Sequence, residues 1–120
     1  MTLDKNRYEL TYILTPVLSE DQNKGAVAKI NEIVENAGGT ILEVDEWGTR
    51  RLAYPIRKRR NGYYVNMYFE GHGKIVARLE RSLEIDDHIL RYLTLRMDKK
   101  MIHHYEARRN KAASLAAEVA

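Results

Sequence analysis

The spacing of apolar residues changes period along this chain in an order that few folds can accommodate. Tyr8, Leu10, Tyr12 and Leu14 fall on every second position, the pattern of a strand over Arg7 to Leu14 with one buried face. Ala26, Val27, Ile30, Ile33, Val34 and Ala37 then recur at helical spacing, predicting an amphipathic helix of about 18 residues. Alternation returns from Thr40 to Trp47 and runs on through Leu52, Tyr54 and Ile56. Tyr63, Val65, Met67 and Phe69 alternate against Tyr64, Asn66, Tyr68 and Glu70 in a third strand. Ile75, Val76, Leu79 and Leu83 mark a second, shorter helix, and Ile89 to Met97 a fourth strand. The order is β-α-β-β-α-β. Two right-handed crossovers place both helices over the same face, so the expected fold is a ferredoxin-like α+β sandwich. It has a four-stranded antiparallel sheet with its first and third strands central, two helices on one face, and the other face open.

Local signals punctuate these elements. Ser19 followed by Gln22 is a capping box, in which hydroxyl and amide each satisfy an orphan amide of the first helical turn. Gly38-Gly39 closes the helix. Gly48 marks a bulge or bend, and Pro55 places its strand at a sheet edge because proline donates nothing to a ladder. Arg57 to Gly62 is expected as a hairpin loop. The open face is expected to carry Tyr64, Asn66, Tyr68, Tyr92, Thr94 and Arg96, with Leu93, Leu95 and Met97 turned to the helices.

Charge is unevenly distributed. Between Trp47 and Phe69 stand six cations, Arg50, Arg51, Arg57, Lys58, Arg59 and Arg60, and no carboxylate. Like charges gathered in this way are most easily tolerated beside a polyanion. The interleaved Trp47, Tyr54, Tyr63 and Tyr64 add the side chains of a stacking or docking surface. The net charge of +3 resides in residues 99–120, which hold Lys99, Lys100, Arg108, Arg109 and Lys111 against Glu106 and Glu118; residues 1–98 are neutral. The chain therefore divides into one domain over residues 1–98 and a basic, alanine-rich tail over residues 99–120, expected to be flexible in the free protein.

Other chemistries find little support. The absence of cysteine excludes disulfides, thiolate nucleophiles and cysteine-based zinc sites. No apolar run approaches the ~20 residues that cross a bilayer, and residues 1–7 lack a signal core, so a cytoplasmic protein is expected. The rings of the adjacent His103 and His104 diverge on regular structure, His72 and His88 are isolated loop residues, and Asp86-Asp87 reads as turn chemistry. Gly71-His72-Gly73-Lys74 lacks the spacing of a phosphate loop and starts the second helix instead. No catalytic residue, cofactor or metal ligand is assigned. An RNA-recognition module shares this fold, but Asn61 to Tyr68 keeps only the glycine and two aromatics of its octapeptide. A protein-only interaction module and a small-ligand regulatory domain that dimerises through its sheet are the other readings.

One resemblance is long and specific. Tyr8-Glu9, the block Trp47-Gly48-Thr49-Arg50-Arg51-Leu52-Ala53-Tyr54-Pro55-Ile56, Gly62-Tyr63 and Ile89-Leu90-Arg91 resemble the bacterial small-subunit ribosomal protein S6 family over roughly residues 5–98. The resemblance implies the ferredoxin-like fold, no catalytic site, and a place in the platform of the small subunit. It also implies a heterodimer with ribosomal protein S18 that binds the central domain of small-subunit (16S) rRNA, with no membrane or small-molecule substrate involved. Arg50, Arg51 and Tyr54 match the family block and inherit a role in rRNA or partner contact; Arg57, Lys58, Arg59 and Arg60 join them on charge. Tyr64, Tyr68, Tyr92 and Arg96 are candidates as open-face residues, and Lys99 and Lys100 as phosphate contacts of the tail.

Overall fold

Alternation in the first and third strands is realised as the centre of an antiparallel sheet. The structure, a computed structural model, describes residues 5–108. Its elements are β1 (Asn6–Leu14), α1 (Glu20–Asn36), β2 (Thr40–Ile56), β3 (Arg59–Gly71), α2 (Gly73–Ile85) and β4 (Ile89–Arg96), followed by a helix α3 over residues 99–108. Strand order is β2-β3-β1-β4. This is the expected ferredoxin-like sandwich, with β1 and β3 central and α1 and α2 on one face.

Burial explains the layering. Leu10, Tyr12 and Leu14 of β1 and Val65, Met67 and Phe69 of β3 are fully buried against Val27, Ile30 and Val34 of α1 and Ile75, Leu79 and Leu83 of α2. Each fully buried side chain of this size contributes roughly 1.5–3 kcal/mol, so this layer dominates the stability. The Ser19 capping box is formed in both directions: its hydroxyl accepts the Gln22 amide at 3.2 Å, and the Gln22 side chain accepts the Ser19 amide at 2.8 Å. Gly38 takes φ +92°, the left-handed conformation anticipated at the helix end.

The β2–β3 hairpin differs from the expected loop. Only Arg57 and Lys58 form the turn, and Arg59 to Gly62 belong to β3. Leu14 of β1 pairs with Tyr63, so residues 59–62 and the strand facing them project beyond β1 as a two-stranded ribbon. A two-residue hairpin with positive φ at both positions has the twist that suits flanking strands. The cluster of cations looks like a solvated loop in sequence because Arg-Lys is a poor turn signal beside Asn-Gly. Gly48, at φ +84°, lies where the β2–β3 register shifts, as expected of a bulge.

The faces of β4 are the reverse of the expectation. Tyr92 pairs with Tyr12, Thr94 with Leu10 and Arg96 with Tyr8, and directly opposed residues share a face. Tyr92, Thr94 and Arg96 therefore lie on the helix side, while Leu93 and Leu95 are on the open face, 59% and 42% exposed. Tyr92 packs against the main core and its hydroxyl donates to Glu84 of α2 at 2.7 Å. The reason is that β4 is apolar on both faces, so alternation alone does not choose between registers one residue apart. A register irregularity at Ile13/Leu14 accompanies the burial of both Ile89 and Leu90, one in each layer.

Arg57 and Lys58 occupy φ +49° and +66°, which disfavour side chains bearing a Cβ by roughly 1–2 kcal/mol each. Replacing them with Asn and Gly relieves that strain, partly offset by glycine's chain entropy. The double substitution Arg57→Asn/Lys58→Gly should raise unfolding stability by about 1 kcal/mol, read as a higher urea midpoint at unchanged m-value.

Candidate RNA and partner interface

The projecting ribbon gathers the basic residues of the family-like block. Arg50, Arg51, Tyr54, Arg57, Lys58, Arg59 and Arg60 are all exposed, and among the described residues none of these six cations forms an ion pair within the chain. The ribbon bends across the open side of the sheet: Leu52 packs with Ile13 and Leu90, and Arg91 of β4 hydrogen-bonds the Tyr54 hydroxyl with its guanidinium 5.9 Å from the ring centre. The approach is close at Gly62, where a Cβ would lie 2.3 Å from Ile13 Cγ2.

Below the ribbon, aromatic side chains line the open face. Trp47 stacks on Tyr64 with ring centres 6.2 Å apart, and Arg50 lies 5.9 Å from the centre of the Trp47 ring. Trp47 Nε1 donates to Asp45 Oδ2 at 2.9 Å. Tyr64 is half-buried against Ile13, Leu52 and Leu90. Sequence reasoning names Trp47 only as part of a stacking or docking surface and gives Arg91 no site role. The family-like block contains Trp47 and the β4 motif contains Arg91, but only the bend of the ribbon brings Arg91 to Tyr54.

Tyr68 is not available on this face. Residues 99–108, expected as a flexible tail, form α3, which packs over the lower part of the open sheet. Asp98 caps it by accepting the Met101 amide at 2.8 Å, and Tyr105 buries itself against Tyr68 with ring centres 4.4 Å apart. The signal lies in Asp98 and in the Met101, Ile102 and Tyr105 stripe at helical spacing, short enough to pass as no stripe. The Tyr68 hydroxyl donates to Glu9 at 2.9 Å, and Asn66, 4% exposed, donates to Glu9 and Thr11 at 3.1 and 2.9 Å. Asn66 and Tyr68 thus serve a buried polar network.

The remaining candidates divide. Arg96 donates to Asn6 at 2.9 Å on the helix side, and Lys99 and Lys100 are exposed in the first turn of α3. Arg109 and Lys111 lie outside the described residues. His72, expected as a solvated loop residue, is the N-cap of α2, its ring accepting the Lys74 amide at 3.5 Å. Among the described residues no group of three His, Asp or Glu side chains is placed to hold a metal ion, and no helix is long and apolar enough to cross a membrane.

The chain is thus an α+β sandwich with a basic ribbon free of ion pairs among the described residues and aromatic side chains on its open face. The chain belongs to the ribosomal protein S6 family, whose family model matches residues 7–96. It is similar to small ribosomal subunit protein bS6 of Porphyromonas gingivalis, 39% identical over 114 residues that cover 95% of this chain and 97% of the relative. The bS6 of Thermoanaerobacter pseudethanolicus is 46% identical over 92 residues, covering 77% of this chain and 97% of its own length. Among solved structures, 30S ribosomal protein S6 of Thermotoga maritima superposes with a TM-score of 0.77 at 28% identity, over 92% of this chain and 99% of that one. The family is one of ribosomal proteins of the small subunit rather than enzymes.

Tyrosines on both sides of the sheet report on fold integrity at high pH. Burial, and donation to Glu46 at 2.8 Å, push Tyr63 up to about 12; donation to Glu84, and then burial, push Tyr92 up to about 12. Tyr12 and Tyr68 are also raised, first by burial. Because the folded values exceed the ordinary value of ~10, this stabilisation is complete below pH ~10 and is lost as pH rises toward 12. Thermal melting should therefore hold steady from neutrality to pH ~9 and fall steeply above pH ~10, and Tyr92→Phe should flatten that fall. Tyrosinate absorbance developing fully near pH ~10 in the folded protein would contradict the assignment.

Proposed function

We propose that this chain binds the central domain of small-subunit rRNA together with ribosomal protein S18, as a structural constituent of the platform that supports subunit assembly in the cytoplasm. The observation that carries this reading is the ribbon of six exposed cations without an ion pair among the described residues, on a chain of the S6 family. Arg50, Arg51, Arg57, Lys58, Arg59 and Arg60 supply phosphate contacts, for which the planar guanidinium is suited by its bidentate donors. Such contacts give affinity and salt dependence but little sequence information; that comes from the shape of the folded RNA and from the partner. Residues 1–98 have no net charge, so recruitment of a partner before RNA binding follows electrostatically. Burial of Tyr68 beneath α3 speaks against the base-stacking RNA-recognition module.

Filter binding of a platform rRNA fragment at two salt concentrations tests this, with the chain alone, S18 alone and both together. Tight binding is expected only with both. Replacing Arg57, Lys58, Arg59 and Arg60 with Gln should reduce the slope of log K against log salt by about 0.7–0.9 for each phosphate that is no longer neutralised. Tight binding by this chain alone would indicate an independent RNA-binding module, and absence of binding in every mixture a protein-only interaction domain.

A further inference from the structure

We propose that α3 is an intramolecular cover on the open sheet face, which competes with the partner protein for that surface and must leave it before a stable complex forms. This rests on the partner reading given above. The cover is held at a few points. Tyr105 is wedged against Tyr68 and Met97, these three being 4–8% exposed, in a cluster separate from the main core. Glu106 accepts from Arg7 at 2.6 Å, and Arg108 donates to the Tyr68 hydroxyl at 3.4 Å.

Two features make this contact reversible. Lys99 and Lys100 in the first turn of the helix oppose its dipole. A groove of ≈590 Å³ runs beside it between Glu9 and Met97 on one wall and Lys100, His103, His104 and Ala107 on the other.

The need for displacement comes from where the exposed leucines stand. Leu93 and Leu95 stand exposed on the open side, and Met97, next in the same alternation, lies beneath Tyr105. A partner seated on the leucines therefore meets the helix. Glu9, Glu43 and Asp45 belong to the same face, which suits an apolar and basic protein surface and repels RNA phosphates.

The test measures S18 affinity by titration calorimetry for the full chain, for Tyr105→Ala and for Glu106→Lys, with amide exchange of residues 99–108 recorded on each. Release of the helix in Tyr105→Ala should tighten S18 binding about ten-fold, the factor expected if the open state is ~10% populated. Glu106→Lys, which touches no buried side chain, should shift affinity in the same direction by a smaller factor. Unchanged or weaker affinity once exchange shows the helix released would overturn the cover and leave the partner reading standing. Persistent protection of residues 99–108 in Tyr105→Ala would overturn it as well, since Tyr105 is the wedge. Failure of all three chains to bind S18 would instead remove the partner reading, and this inference with it.

Discussion

The pairing of β1 with β3 is the interaction on which everything else in this domain depends. Nine residue pairs from Asn6↔Gly71 to Leu14↔Tyr63 join the two strands most distant from the sheet edges. That register decides which side chains meet the helices, and Tyr8 stacking on Phe69 at 5.3 Å marks it on the buried side. It also decides where β1 stops and the ribbon begins to project. A shift of one residue would turn Leu10, Tyr12, Val65 and Met67 outward, so the hydrophobic term holds the register firmly.

The ribbon carries this rigid centre beyond the sheet. Register shifts at Glu46/Gly48 and between Arg51 and Ile56 lie along β2, and the ribbon bends across the open side. Leu52 then anchors it to Ile13 and Leu90 while the cations of its outer half stay in water. The arrangement separates two tasks along one hairpin. Apolar side chains near its base fix its direction, and charged side chains near its tip remain available for a polyanion.

The open face is shared among competing uses. Its upper part carries Trp47, Tyr64 and the ribbon anchor, its β4 side exposes Leu93 and Leu95, and α3 occupies the lower part. Burial of Asn66 with Glu9 and Thr11 keeps polar atoms satisfied beneath that cover. Sheets of this fold leave one face without helices, so a helix from the same chain is a simple way to shield it. A helix that does so without joining the main core remains a separable part of the molecule.

Element order, the capping box at Ser19, the edge position of β2 with its bulge at Gly48, and the central place of β1 and β3 were all legible in the chain of residues. They follow from periodicity and turn chemistry, which act over a few residues, and from the handedness of crossovers. The family-like block likewise made Arg50, Arg51 and Tyr54 readable as interface candidates. The faces of β4 were settled only by folding, because a strand apolar on both sides takes its register from β1 and not from its own alternation. Folding also brought Arg91 to Tyr54 and hid Tyr68, since both results depend on elements distant in sequence meeting across the open face. The docking of residues 99–108 belongs with these: a stripe of Met101, Ile102 and Tyr105 gains its meaning only when a sheet lacking a second layer lies beneath it.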